Sequence, residues 1–399
     1  MNKNAYKQLS IFLLVVLLVP LLSCCNNKID DSKKRNILFY IGAGEGNIDR
    51  DAPVKINQIR AGWKPGNGEM IIYIDRVSQG ACLLRVNEIR GNDGLYGLDT
   101  LDTYGVENSA DYEVFSRVIN DAVQAYPADS YGLIFFSHGS GWLPEGNLAS
   151  PRSIVIDNNT GDGKTNREME HDDFARAIPD KQFDFIILEA CLMSDVMTMY
   201  ELRNKAEYVL ASSAEIVAPG FSLTTRDFPL GTYQSEIMSL YDTRSDVASI
   251  LASFAKAYYD RESKHYNSAT LSVIKMDEME NLASVTKSVL QGKNIDETTL
   301  VVNSIQIFDR PRYLASRAYS RYFDFAHVME NLASESDYRA FNAQMEKTVV
   351  WKISTTGFLT NQYGFSIDHH CGLTTYIKQD VYPGLNSFFE NTSWYKAIY

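Results

Sequence analysis

Two residues of this chain stand where nucleophilic chemistry could be done. Cys191 ends the run Phe183-Asp184-Phe185-Ile186-Ile187-Leu188-Glu189-Ala190 and precedes apolar residues at helical spacing, Leu192, Val196, Met199, Tyr200 and Leu202. His138 ends a second apolar run, Tyr131 to Ser137, and opens the sequence His138-Gly139-Ser140-Gly141-Trp142. Short, nearly continuous apolar runs with β-branched and aromatic members predict strands buried on both faces of a parallel sheet. Ligands of open α/β folds lie at the carboxyl edge of such strands, and a helix amino end favours a thiolate. A thiol at the end of one strand and an imidazole at the end of the next would lie side by side. Together they could attack a carbonyl, protonate the leaving amine and activate water for deacylation. Backbone N–H groups of Gly139 and Cys191 would form the oxyanion hole, with glycine admitting the backbone where a side chain would obstruct it. Chemistry of this kind requires no third member.

The blocks HGSGW at 138–142 and ACLMSDVMTMYEL at 190–202 resemble the clostripain-like cysteine peptidases, a branch of the caspase, legumain and gingipain clan. The resemblance runs over roughly residues 36 to 399. It implies a caspase-like α/β/α sandwich with a mostly parallel central sheet, and catalysis by His138 and Cys191. Two positions before the cysteine that family usually carries Asp, in a pocket that selects Arg or Lys before the scissile bond. This chain has Glu189, as legumain-like members do, and a carboxylate still matches a basic side chain. Ser212 and Glu215 fall on the next pocket-lining block, within Ala211 to Phe221, while Ser222-Leu223 replaces the Gly-Trp that commonly follows. Self-cleavage after a basic residue in the loop between histidine and cysteine is also implied. Arg152, Lys164 and Arg167 are the candidates, and an uncut surface hairpin is the alternative.

The elements that must position this pair follow in chain order. Asn36–Ile41, Met70–Asp75, Tyr131–Ser137 and Phe183–Leu188 read as strands, with helices over Ser109–Ala125 and Asp172–Ile178, the alternation that a doubly wound sheet requires. The catalytic core is expected over 36–230. A helical carboxyl-terminal lobe follows over 231–399, with a last strand, Gly372–Ile377, returning to the sheet.

Residues 1–23 read as an export signal: Lys3 and Lys7, then the apolar run Ile11 to Leu22, then Ser23. Leu21-Leu22-Ser23-Cys24 looks like a bacterial lipobox, which would make Cys24 a lipidated amino terminus, residues 24–35 a flexible tether and the cell envelope the location. An ordinary signal peptide or an uncleaved anchor is the alternative. A formal net charge of −12 over 399 residues, with no basic cluster beyond Lys33-Lys34-Arg35, argues against nucleic acid as a partner.

Cys82 and Cys371 read as buried small hydrophobes that an exported protein could also pair as a disulfide. No Cys-x-x-Cys spacing occurs, and adjacent His369 and His370 would point to opposite faces of a strand, so no metal or other cofactor is expected. A calcium loop over Asp157 to Glu168 matches the ligand register only in part, because Asp162 occupies the position that should be glycine. Two functions remain open: a cysteine endopeptidase acting on peptide or protein, and a surface lipoprotein that binds peptides on the same fold without cutting them.

Overall fold

Nine strands build the central sheet of the computed structural model, which describes residues 33–77, 79–145, 154–158, 167–218, 220–221, 237–310 and 319–399. The export segment and Cys24 lie outside the described residues, as do Arg152 and Lys164. The strands are β1 (Arg35–Ala43), β2 (Met70–Arg76), β3 (Gly80–Arg90), β4 (Tyr96–Gly105), β5 (Ser130–Phe136), β6 (Phe183–Glu189), β7 (Ala206–Ala211), β8 (Thr270–Lys275) and β9 (Val349–Ser354). Their order across the sheet is β9-β8-β7-β6-β5-β1-β2-β3-β4. The five middle strands run parallel, and two antiparallel strands flank them on each side.

The continuous apolar runs are explained by cover on both faces. In β1, Ile37, Phe39 and Ile41 enter one core and Leu38 and Tyr40 the other. Helix α1 (Gly46–Gly62) packs Ile48, Ala52 and Ile59 into the first of these cores. Helices α2 (Tyr112–Ala125), α3 (His171–Ala177) and α4 (Val196–Leu202) cover the opposite face. Helix α5 (Val247–His265) returns to the α1 side with Leu251, Phe254 and Tyr258. The result is the three-layer α/β/α arrangement expected from the alternation of elements.

The carboxyl-terminal half departs from the expected separate lobe. Residues Lys34–Tyr399 form one compact unit, and β8 and β9, from beyond residue 231, extend the sheet from the β7 edge. The run expected to return to the sheet does not join it. Thr374–Thr375 pairs instead with Phe323–Asp324 in a two-residue ladder, and Thr374 N donates to Ser194 O at 2.8 Å. Its hydrogen bonds therefore brace the loop that follows Cys191, which periodicity could not distinguish from lengthening the sheet.

Candidate active site

Sheet register brings the two candidates together. β5 and β6 are parallel neighbours with Phe136 opposite Glu189, so His138 and Cys191, each two residues further on, leave the sheet at the same level. Parallel neighbours lie about 4.8 Å apart. The loops stay close beyond the strands: a Cβ added to Gly139 would lie 2.8 Å from the Cys191 carbonyl oxygen and 3.1 Å from its nitrogen. Ser137 Oγ donates to Gly42 O at 2.9 Å, which ties the histidine loop to the loop after β1.

The end of that neighbouring loop and the first turn of α1 supply partners that the sequence reading missed. His138 Nε2 lies 3.0 Å from Glu45 Oε2 and 2.9 Å from Asn47 Oδ1. Hydrogen bonding to His138 holds the Glu45 carboxyl below its ordinary value, so it is ionised near neutral pH and can only accept. Nε2 therefore carries the proton, and Nδ1 is left as the basic nitrogen. Glu45 also caps α1, accepting from Asn47 N at 3.4 Å. Glu45 sits inside the glycine-rich stretch Gly42-Ala43-Gly44-Glu45-Gly46, where no local pattern links it to the histidine. Because Glu45 acts through His138, Glu45→Gln should lower kcat about tenfold with KM unchanged, and Glu45→Ala should lower it further. An unchanged kcat in both variants would remove Glu45 from the site.

Cys191 is half-buried, and its Sγ accepts from Ile216 N at 3.3 Å. Leu192, the next residue, takes a left-handed backbone with φ 62°, a conformation costly for a bulky side chain. Leu192 N donates to Ala214 O and Ser194 N to Ser212 O, both at 3.0 Å, fastening the turn to the segment after β7. The expected helix amino end is displaced: α4 begins at Val196 and is capped by Asp195, so four residues separate Cys191 from the helix. Trp142 is fully buried, with its ring centroid 4.9 Å from that of Tyr376.

Asp195 lies beneath this turn. Its Oδ1 caps Thr198 N at 2.8 Å, and its carboxyl is pushed up to about 7 by burial. A folded value above the unfolded one favours the protonated fold, so this contribution to stability is full below the ordinary carboxylate value. It is lost as pH rises through about 7. The wild-type melting temperature should therefore fall between pH 5 and 8. Asp195→Asn, which retains a capping side chain, should flatten that fall, by up to about 3 kcal/mol over this range. Parallel melting curves for the two proteins would refute this.

The expected pocket residues sit differently. Glu189 is buried and paired with the Lys55 ammonium from α1, and its Oε1 also accepts from Phe221 N at 2.5 Å. Ser212 is buried, with its hydroxyl on Thr270 Oγ1 at 2.9 Å and Ala214 O at 3.0 Å, so it supports the wall from behind. Glu215 is held by Arg310 through contacts of 2.9 and 2.7 Å. Each of the three finds a partner inside the fold, Glu189 and Ser212 fully buried and Glu215 partly exposed. Arg167 lies in a two-residue strand paired with Ile156–Asp157.

Asp157, the first residue of the supposed calcium loop, accepts from Ser109 N at 2.6 Å and Ser109 Oγ at 2.9 Å, while 159–166 lie outside the described residues. Among the described residues no group of three or more His, Cys, Asp or Glu could hold a metal ion. Cys82 and Cys371 are both free thiols, so the disulfide alternative falls.

Comparison with known proteins agrees with this geometry. The clostripain family model matches residues 40–379. An inactive zymogen C11 protease from Parabacteroides distasonis is 29% identical, with a TM-score of 0.76 over 92% of this chain and 98% of that one. A secreted C11 cysteine protease from Bacteroides thetaiotaomicron, solved with an irreversible peptide inhibitor, is 28% identical, with a TM-score of 0.74 over the same shares. No curated protein matches the sequence. Among the described residues no helix is long and apolar enough to cross a membrane. With the fold, the paired strand ends and the sequence match in agreement, the chain belongs to the clostripain family of cysteine-type peptidases.

Proposed function

We propose that this chain is an endopeptidase working through a His138–Cys191 dyad and an acyl-enzyme. The observation that carries the reading is the shared level at which β5 and β6 deliver the two residues. The Cys191 thiolate attacks the peptide carbonyl, and the scissile C–N bond breaks as the proton held by His138 passes to the leaving amine. His138 then takes a proton from water as the water oxygen attacks the acyl carbonyl, and the C–S bond breaks to restore the Cys191 thiolate beside protonated His138. Backbone N–H groups of Gly139 and Cys191 stabilise the tetrahedral oxyanion.

Two further features belong to the same reading. Self-processing between residues 143 and 167 is supported by the basic residues of that stretch and by the zymogen relative. Export with a lipid at Cys24 is supported by residues 1–24 alone, and Cys24→Ala should then move the protein out of the membrane fraction. Cleavage after Arg or Lys, the preference suggested by Glu189, requires that carboxylate to give up Lys55.

The test is intact mass after treatment with an electrophilic peptide probe. A single adduct on Cys191, absent from Cys191→Ala, and a cut between 143 and 167 seen only in wild type are expected. No adduct and no turnover would replace the enzyme with a peptide-binding protein on the same fold.

A further inference from the structure

The acid two positions before Cys191, which the family resemblance places in the pocket before the scissile bond, has its charge balanced inside the fold. Lys55 projects from α1 to Glu189, and each side chain is 1% exposed. The Lys55 ammonium also lies 4.5 Å from the centre of the Phe136 ring, so it is fixed from two sides. Gly220 lies against the carboxylate: a Cβ there would come within 2.2 Å of Glu189 Oε1. The Gly220 carbonyl in turn accepts from Arg261 at 2.8 Å, and Arg261 is paired with Glu262. Burial raises the Glu189 carboxyl and lowers the Lys55 ammonium, opposing charge on both partners. Whichever of them holds the proton, the pair carries no net charge. Glu215, the other carboxylate of the described wall, is held by Arg310.

A basic substrate side chain would bring a further cation to a pair that is already neutral, and an uncompensated buried charge is strongly disfavoured. We propose that Lys55 is the specificity-determining residue of this peptidase, a built-in counter-ion that stops Glu189 from reading a basic side chain, so that bonds following an uncharged residue are preferred. The proposal rests on the peptidase reading above. It separates this chain from a pocket whose acid is open, and it does so by a residue 134 positions upstream of that acid.

The test uses fluorogenic peptides that differ only in the residue before the bond: Arg, Lys, Asn or Ala. Wild type should cleave the Asn and Ala peptides with kcat/KM at least about tenfold above the Arg and Lys peptides. Lys55→Met uncovers Glu189 and should shift that ratio at least about tenfold toward Arg and Lys. If Lys55→Met does not fold, Lys55→Met/Glu189→Leu replaces the pair by apolar side chains and should keep the wild-type ranking. Wild-type preference for Arg or Lys, or a double variant that selectively loses cleavage after them, overturns the role of Lys55. The Cys191 probe separates the two levels: a labelled Cys191 with a basic preference removes only this proposal. No label and no turnover on any peptide removes the peptidase reading and this proposal together.

Discussion

Cys191→Ala should abolish peptide turnover, and His138→Ala should lower kcat/KM by about 10⁴- to 10⁶-fold. The two losses should not add. A dyad acts as one unit, since the thiol without a base is a poor nucleophile near neutral pH and the imidazole without a thiol has no acyl acceptor. The double variant should therefore be no worse than Cys191→Ala alone. Stability should change little in comparison, because His138 is bonded to the cap and first turn of α1 near the surface and Cys191 is only half-buried. The check is a set of progress curves at saturating peptide beside melting curves for all four proteins. Retained turnover in either single variant, with unchanged folding, would move the chemistry elsewhere.

The parts of this site that were legible in the sequence are those encoded locally. Continuous apolar strands announce both of their ends, so the placement of His138 and Cys191 at neighbouring strand ends and the layered fold could be read directly. Glu45 and Lys55 could not. Each belongs to α1, or to the loop before it, and each reaches its partner across more than 90 positions. Glu189 shows the same limit from the other side. Its position before the cysteine marks it as an acid near the substrate, yet what it can do depends on a lysine that no local pattern links to it. The carboxyl-terminal half was misjudged for a related reason. Short strands such as Thr270–Lys275 and Val349–Ser354 gain their stability from the edge they join, and their periodicity alone does not identify that edge.

Gly139→Ala should cost about 10² to 10³ in kcat/KM, the loss typical of an oxyanion-hole donor that is displaced. Its cause is proximity rather than backbone strain, since Gly139 is not among the residues with positive φ. The added methyl would meet Cys191 O at 2.8 Å, the Ala190 Cβ at 2.9 Å and Cys191 N at 3.1 Å, so the main chain of one catalytic loop must retreat from the other. The thiol itself is untouched, and alkylation of Cys191 by a small electrophile should change by less than about threefold. Gly141 provides the contrast. It has φ 54°, and its Cβ would fall 2.3 Å from Asp195 Oδ2, so Gly141→Ala should act mainly on folding. A Gly139→Ala enzyme with wild-type kcat would show that the oxyanion is held by other donors, because a loop moved by even a few tenths of an ångström no longer offers its N–H at the same place.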